Sequence, residues 1–501
     1  MPLVTSTLYP AKLFRPRVAR TPIFKRATQN GQTIAGDSAP PTRAGESAPR
    51  GSLSAQPGKF LTGGLMNHVA VMTLTSSFGL LAMFLVDFLD LFFIAQLGDP
   101  ALTAAMGFAA TLLFFNSALN IGLMITISAL AAKSIGMGRG EKANVLFTHV
   151  MIIGMALAIP MAILFWLFAP GCMDAIGATG HAKDAAIQYI RIVAPFSPVT
   201  VMGMICSGFL RAHGDARRAM NTTLAMAATN AIFDPLLMFG LDLGFTGAAY
   251  ATVLSIFAMA IAGFWPVLRL YGGFAPFNKE HFMADLAPIR AIMGPAVLTN
   301  LATPVGGFIT FRFLAEYNET VIASYAVIGR IIPVAFCLLF SLSGSIGPIV
   351  GQNFGAQNYD RVREAIRSAV IFATGYTLLI WPVLYFAAPV IAKLFDLNAE
   401  GLVLLQVFGG IVAPLFLFNG VLYIANATFN NLERPRWSTW LNWGRNTLGI
   451  LPFLVIGDWM AGAAGVIAAP AIGGVIFGMM GYVLAIRLVN SHEQSAHSPR
   501  S

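Results

Sequence analysis

Ser134-Ile135-Gly136-Met137-Gly138-Arg139-Gly140-Glu141 closes one long apolar run, and Asn353-Phe354-Gly355-Ala356-Gln357-Asn358-Tyr359-Asp360 closes another. Aligning Gly136 with Gly355 gives a shift of 355 − 136 = 219. The same shift lays Leu102-Thr103-Ala104-Ala105, where the first run starts, on Val321-Ile322-Ala323-Ser324, where the second starts. One shift that matches both a loop and a segment start predicts a chain built from two similar halves.

Working outward, apolar runs long enough to cross a bilayer occur about twelve times. Their approximate limits are 71–97, 102–133, 145–169, 185–210, 219–240, 246–268, 288–315, 320–350, 365–392, 402–428, 438–457 and 463–487. Six segments per half keep both copies in one orientation, related by an axis along the membrane normal, with a cleft between them. Pro195, Pro198, Pro295, Pro304, Pro333 and Pro414 lie inside these runs and are expected kink points. The predicted fold class is an all-α polytopic membrane protein of two pseudo-symmetric six-helix bundles, at 66–275 and 276–489, between tails at 1–65 and 490–501.

Composition agrees. The 501 residues are 56% hydrophobic and only 11% charged, with mean hydropathy +0.71. A soluble domain carries about a quarter charged residues, so lipid must solvate much of this chain. The net charge of +9 does not point to nucleic acid, because its basic residues sit in a topological pattern. Loops after even-numbered segments, with their flanks, hold Lys133, Arg139 and Lys142; Arg211, Arg217 and Arg218; Arg269, Lys279 and Arg290; Arg361, Arg363 and Arg367; Arg434, Arg436 and Arg445. Loops on the other side hold little beyond Lys183, Arg191 and Lys393. The positive-inside rule then predicts an inner (plasma) membrane protein with both termini cytoplasmic. The basic, proline-punctuated first 58 or so residues read as a disordered cytoplasmic tail; a transit peptide, or a start displaced upstream of Met66, fits the same composition.

Ser207-Gly208-Phe209-Leu210-Arg211-Ala212-His213-Gly214-Asp215 resembles the Leu-Arg-Ala-x-Gly-Asp motif of the multidrug and toxic compound extrusion (MATE) family. Asn230 to Asp234 and Gly244-Phe245-Thr246-Gly247-Ala248-Ala249-Tyr250-Ala251-Thr252 resemble the stretch that follows it there. Val350 to Ala356 resembles the second-half counterpart, and Asp90 through Gly98 the first-segment signature, so the likeness covers roughly 66–489. It implies a twelve-helix efflux pump that exchanges small organic cations for H⁺ or Na⁺. It also implies a cation site in the first half at Asp90, Asn230, Asp234 and Thr252. Two departures stand out: a second carboxylate, Asp87, one turn before Asp90, and a segment seven with Thr303-Pro304 but no carboxylate in its apolar core. Both favour coupling through the first half alone.

The residues themselves lead to the same place. Asp87, Asp90 and Asp234 are the acids set most deeply in apolar runs, each costing about 2.5–3.5 kcal/mol to place at a helix centre. Asp87 and Asp90 share one helical face, as do Asn230 and Asp234. Together with Thr252 they offer oxygen ligands that suit a hard cation such as Na⁺, and carboxylates also bind protons. Duller roles stay open for four of them. Asp234, before Pro235, is placed to be an interfacial residue; Asp87 a solvated cavity residue; Thr252 a partner of its own backbone; Asn230 a packing contact.

His68, His149 and His213 have no metal-ligand spacing, no Walker motif points to ATP, and no nucleophile constellation points to an enzyme. No cofactor is expected beyond the coupling ion. The expected partners are small organic cations and the bilayer, for a chain acting as a monomer. The alternative function is a lipid-linked oligosaccharide flippase of the same superfamily, which would favour a basic central cavity, whereas the buried charges read as mainly acidic.

Overall fold

The computed structural model describes residues 58–497; residues 1–57, most of the expected N-terminal tail, and 498–501 lie outside the described residues. Six helices form the first half: α1 (Leu65–Gln96), α2 (Pro100–Gly136), α3 (Gly140–Ala175), α4 (Gly180–Ala212), α5 (Ala216–Gly240) and α6 (Gly244–Leu270). The second half opens with α7 (Lys279–Leu314) and α8, which is Glu319–Ala335 and Cys337–Gly355 meeting at 44°. It continues with α9 (Tyr359–Leu394) and α10 (Ala399–Asn431). The last apolar stretch, Pro435–His497, leaves helical geometry at Ala461 and Gly462, where φ of +56° favours glycine. It is therefore two spans, α11 (435–460) and α12 (463–497), and all twelve predicted segments have their helices in order.

The repeat is deeper in the backbone than in the side chains. Helix ends commonly stop on a residue with positive φ, usually glycine. Gly138, Gly177 and Gly214 do so in the first half, and Gln357, Asp396 and Glu433 do so in the second. Each pair is separated by the same 219 positions. Asp99 and Asn318, again 219 apart, both cap a helix by accepting from a backbone N–H of its first turn. The second copy therefore holds three side chains in a conformation that glycine adopts freely.

The two halves meet at the end that carries the basic loops. A Cβ on Gly136 would strike the carbonyl oxygen of Gln352, and one on Gly355 would strike that of Lys133. The repeat maps Lys133 onto Gln352 and Gly136 onto Gly355, so one contact is made twice about a local two-fold axis. Small residues allow this backbone approach. Lys133 also pairs with Glu433, and the Gln352 Nε2 donates to the Ala212 carbonyl at 2.7 Å. Among the described residues, every hydrogen bond and ion pair between the halves lies at this basic end.

Residues 58–64, expected to belong to a featureless tail, are folded into this seam. Phe60 is 1% exposed, its N–H donates to Gln352 Oε1 at 2.9 Å, and its carbonyl accepts from Arg361 at 3.0 Å. Lys59 donates to the Gly214 carbonyl at 2.9 Å. The segment thus bonds to both halves. At the other terminus, 490–497 continue α12, where Glu493 pairs with Arg363 at 2.7 Å.

A second bridge crosses the linker between halves. Asp285 of α7 accepts from Lys142 at 2.7 Å and from His149 Nδ1 at 2.8 Å, both on α3. His149 is buried, so Asp285→Ala leaves it without its acceptor. Because Lys142 is partly exposed, the expected loss is about 2 kcal/mol, below that of a fully buried pair. A lower midpoint of thermal unfolding in detergent checks this; an unchanged midpoint would remove the bridge from the account of stability.

Candidate cation site and central cavity

Packing of α5 between α1 and α6 brings Asp90 against the face of α5 that carries Asn230 and Asp234. Asp234 ends the regular part of α5. Pro235 follows, and Leu236–Gly240 widens into a π-type turn. A proline lacks the N–H that would close the helical ladder, and such π-turns collect at functional sites. Asp234 is 1% exposed and Asn230, one turn before it, 4%. An interfacial role for Asp234 does not fit that burial. Across from them on α1, the Asp90 carboxyl lies within hydrogen-bonding reach of the Asp234 carboxyl. Two carboxylates this close repel unless a proton or a metal cation stands between them.

Four oxygens of this cluster have no hydrogen-bond partner: Asp90 Oδ1, Asn230 Oδ1 and both carboxyl oxygens of Asp234. Buried acceptors are rarely left so. Oxygens of this type are what a hard cation or a proton takes. Among the described residues no three His, Cys, Asp or Glu side chains are arranged as a metal site.

Thr252 is already engaged. Its hydroxyl donates to its own helix at the Ala248 carbonyl, 3.0 Å away. The Tyr189 hydroxyl must then be the donor in the 2.9 Å contact with Thr252 Oγ1. Tyr189, buried on α4, lies within electrostatic reach of Asp90, Asp234 and Asp87 and was missed by the sequence reading. A buried tyrosine needs a hydroxyl partner, and that was the one available signal. Asp87, one turn from Asp90, is exposed yet lies within electrostatic reach of Asp90 and Tyr189.

A separate cavity of about 430 Å³ lies between the halves. Its walls carry Asn120, Met124 and Arg211 from the first half, and Asn300, Tyr423 and Asn430 from the second. No Asp or Glu is among its lining residues; Arg211 is its charged side chain. The acidic charge foreseen at membrane depth thus sits in the α1–α5 cluster, not on the cavity wall. Arg312 of α7 bonds Glu316 at 3.1 Å on the surface.

Comparison with known proteins matches this architecture. The family model described as MatE matches twice, at residues 76–236 and 295–455, and both limits of the second match lie 219 positions beyond those of the first. A protein of Shewanella oneidensis named FAD transporter is 28% identical over 426 residues, 83% of this chain and 93% of its own. Multidrug export protein MepA of Staphylococcus haemolyticus is 24% identical, over 78% of this chain and 84% of its own. Among solved structures, the Vibrio cholerae MATE transporter VcmN superposes with a TM-score of 0.81 at 24% identity, covering 85% of this chain and 97% of its own. A structure titled as the outward-facing conformation of a MATE family transporter superposes with 0.82 at 21% identity, covering 88% and 100%. With two copies of the family's unit laid end to end at the spacing of its own internal repeat, this chain belongs to the MATE family of efflux transporters and is not an enzyme.

Proposed function

We propose that this chain is a secondary antiporter that exports small organic solutes by alternating access, driven by H⁺ or Na⁺ bound at Asp90, Asn230 and Asp234. The observation that carries this reading is the cluster of four buried, unpartnered oxygens, which a cation or proton would satisfy. Tyr189, held by hydrogen bond to Thr252, lies beside the site. Export follows if the coupling ion and the cargo disfavour each other across the two states, a reciprocal coupling. The working unit is the two bundles at 66–275 and 276–489, joined by residues 58–64, so one chain suffices. The positive-inside rule supports a seam on the cytoplasmic side of an inner membrane.

Multidrug export by the staphylococcal relative supports a small organic cargo, and the Shewanella relative's name adds a flavin dinucleotide. The organic-cation cargo was what the family resemblance implied; the charge a cargo can carry depends on the cavity wall, where Arg211 stands and no acid is found. The feature that would favour the flippase alternative, a basic central cavity, is met by Arg211 and a lining without acids; the MatE match and the multidrug-export relative weigh toward the exporter. The test is transport in proteoliposomes under a Na⁺ gradient and a pH gradient imposed separately. One of the two should drive uptake of cargo well above the ungradiented rate. Transport indifferent to both would remove the antiport reading.

A further inference from the structure

We propose that the central cavity takes an aromatic organic anion, with Arg211 as the group that binds its negative charge. This deepens the exporter reading by naming the cargo class, and it rests on that reading for the cavity's role. Arg211 closes α4 and is 8% exposed, yet its Nε has no partner and it donates no hydrogen bond to any other described residue. The guanidinium carries five N–H donors in a fixed fork, and a buried charge without a partner is costly. Its place is nevertheless built. A Cβ on Gly344 of α8 would strike Arg211 Nη1, so the opposite half leaves room for the side chain at the cavity wall.

Among the described residues no carboxylate is available to neutralise it. Asp215, four residues on, is taken by Arg218 and by the Tyr271 hydroxyl, which donates at 2.9 Å. Asp90 and Asp234 belong to the coupling cluster, and no acid lines the cavity. A second unneutralised charge stands behind the wall. Arg445 is buried and donates to the side-chain oxygens of Asn419 and Asn446, and it lies within hydrogen-bonding reach of cavity-lining Tyr423. Neutral amides take its Nη donors, leave its Nε unpartnered and do not cancel its charge. An organic cation entering here would face two uncompensated guanidinium groups, whereas a carboxylate or phosphate pairs with Arg211 in its preferred bidentate geometry.

The rest of the wall suits a flat ring system. Met124, Met204 and Met226 with Phe340 and Tyr423 give polarisable sulfur and aromatic faces. Asn300, Asn426 and Asn430 add donors and acceptors for ring substituents.

The test compares riboflavin 5′-phosphate with riboflavin, one ring system with and without the anion, and with the cation ethidium. Binding to the purified full chain is followed by fluorescence anisotropy. The phosphate should raise affinity about tenfold or more, as a charge-assisted pair does. Arg211→Gln should abolish that difference and Arg211→Lys should keep part of it. Equal binding of the two flavins, no measurable binding of the phosphate, or tighter binding of ethidium each overturns the proposal; so does a preference that survives Arg211→Gln. The wild-type comparison needs no variant to fold. It also needs no gradient, so its failure is separable from that of the coupling site, which the imposed gradients test alone.

Discussion

Asp90→Asn leaves a chain that inserts and folds but no longer couples export to an ion gradient. The substitution keeps shape and volume while removing one of the two carboxylates that face each other between α1 and α5. An amide there can donate to Asp234, which has two free oxygens, so the cluster becomes self-satisfied without a cation or proton. Stability should therefore hold or rise slightly. Gradient-driven transport in proteoliposomes should fall to the level of empty vesicles, at least a hundredfold below wild type. Detergent-solubilised yield and thermal midpoint should stay near wild type. Normal export by Asp90→Asn would put the coupling elsewhere in the chain.

Gly136→Leu should break the cycle by a different route, preventing the basic end from closing. The obstacle is the backbone carbonyl of Gln352, which no rotamer change can move, so α2 and α8 must separate. Overpacking of this kind costs about 1–3 kcal/mol. A shift of 2 kcal/mol changes the ratio of two conformations by about thirtyfold. Because the contact is made twice about the local axis, Gly355→Leu should act in the same direction and by a similar amount. The readout is a cysteine at Ser345, which is fully buried beside Ser76 in the seam, in a background with Cys172, Cys206 and Cys337 replaced. Labelling by a water-soluble maleimide should rise at least tenfold in either leucine variant, with transport falling in parallel. If labelling and transport both match wild type, the glycine seam is not what closes this end.

The same glycines show how far the sequence reached. Gly136 and Gly355 marked the repeat because each follows a long apolar run at one fixed spacing. Nothing in that spacing said they would lie against each other, since contact across an axis is set by how two bundles dock. Likewise Asp90, Asn230 and Asp234 were legible because a polar side chain at membrane depth must face the protein interior. That left Tyr189 unseen, as one tyrosine in an apolar run gives no sign of what its hydroxyl meets. Phe60 was misplaced with the tail because its anchors, Gln352 and Arg361, are about three hundred residues away in sequence.

Charge followed the same division. Hydropathy and the repeat determined the class, the number of spans and the duplicated build, because each depends on local composition meeting lipid. The acids of the proposed coupling cluster also declared themselves by their cost in lipid. Only the tertiary structure decided that those acids line one site while the cavity between the halves carries Arg211 and amides instead. Which buried charges share a space depends on which helix faces turn toward each other, and no single helix records that.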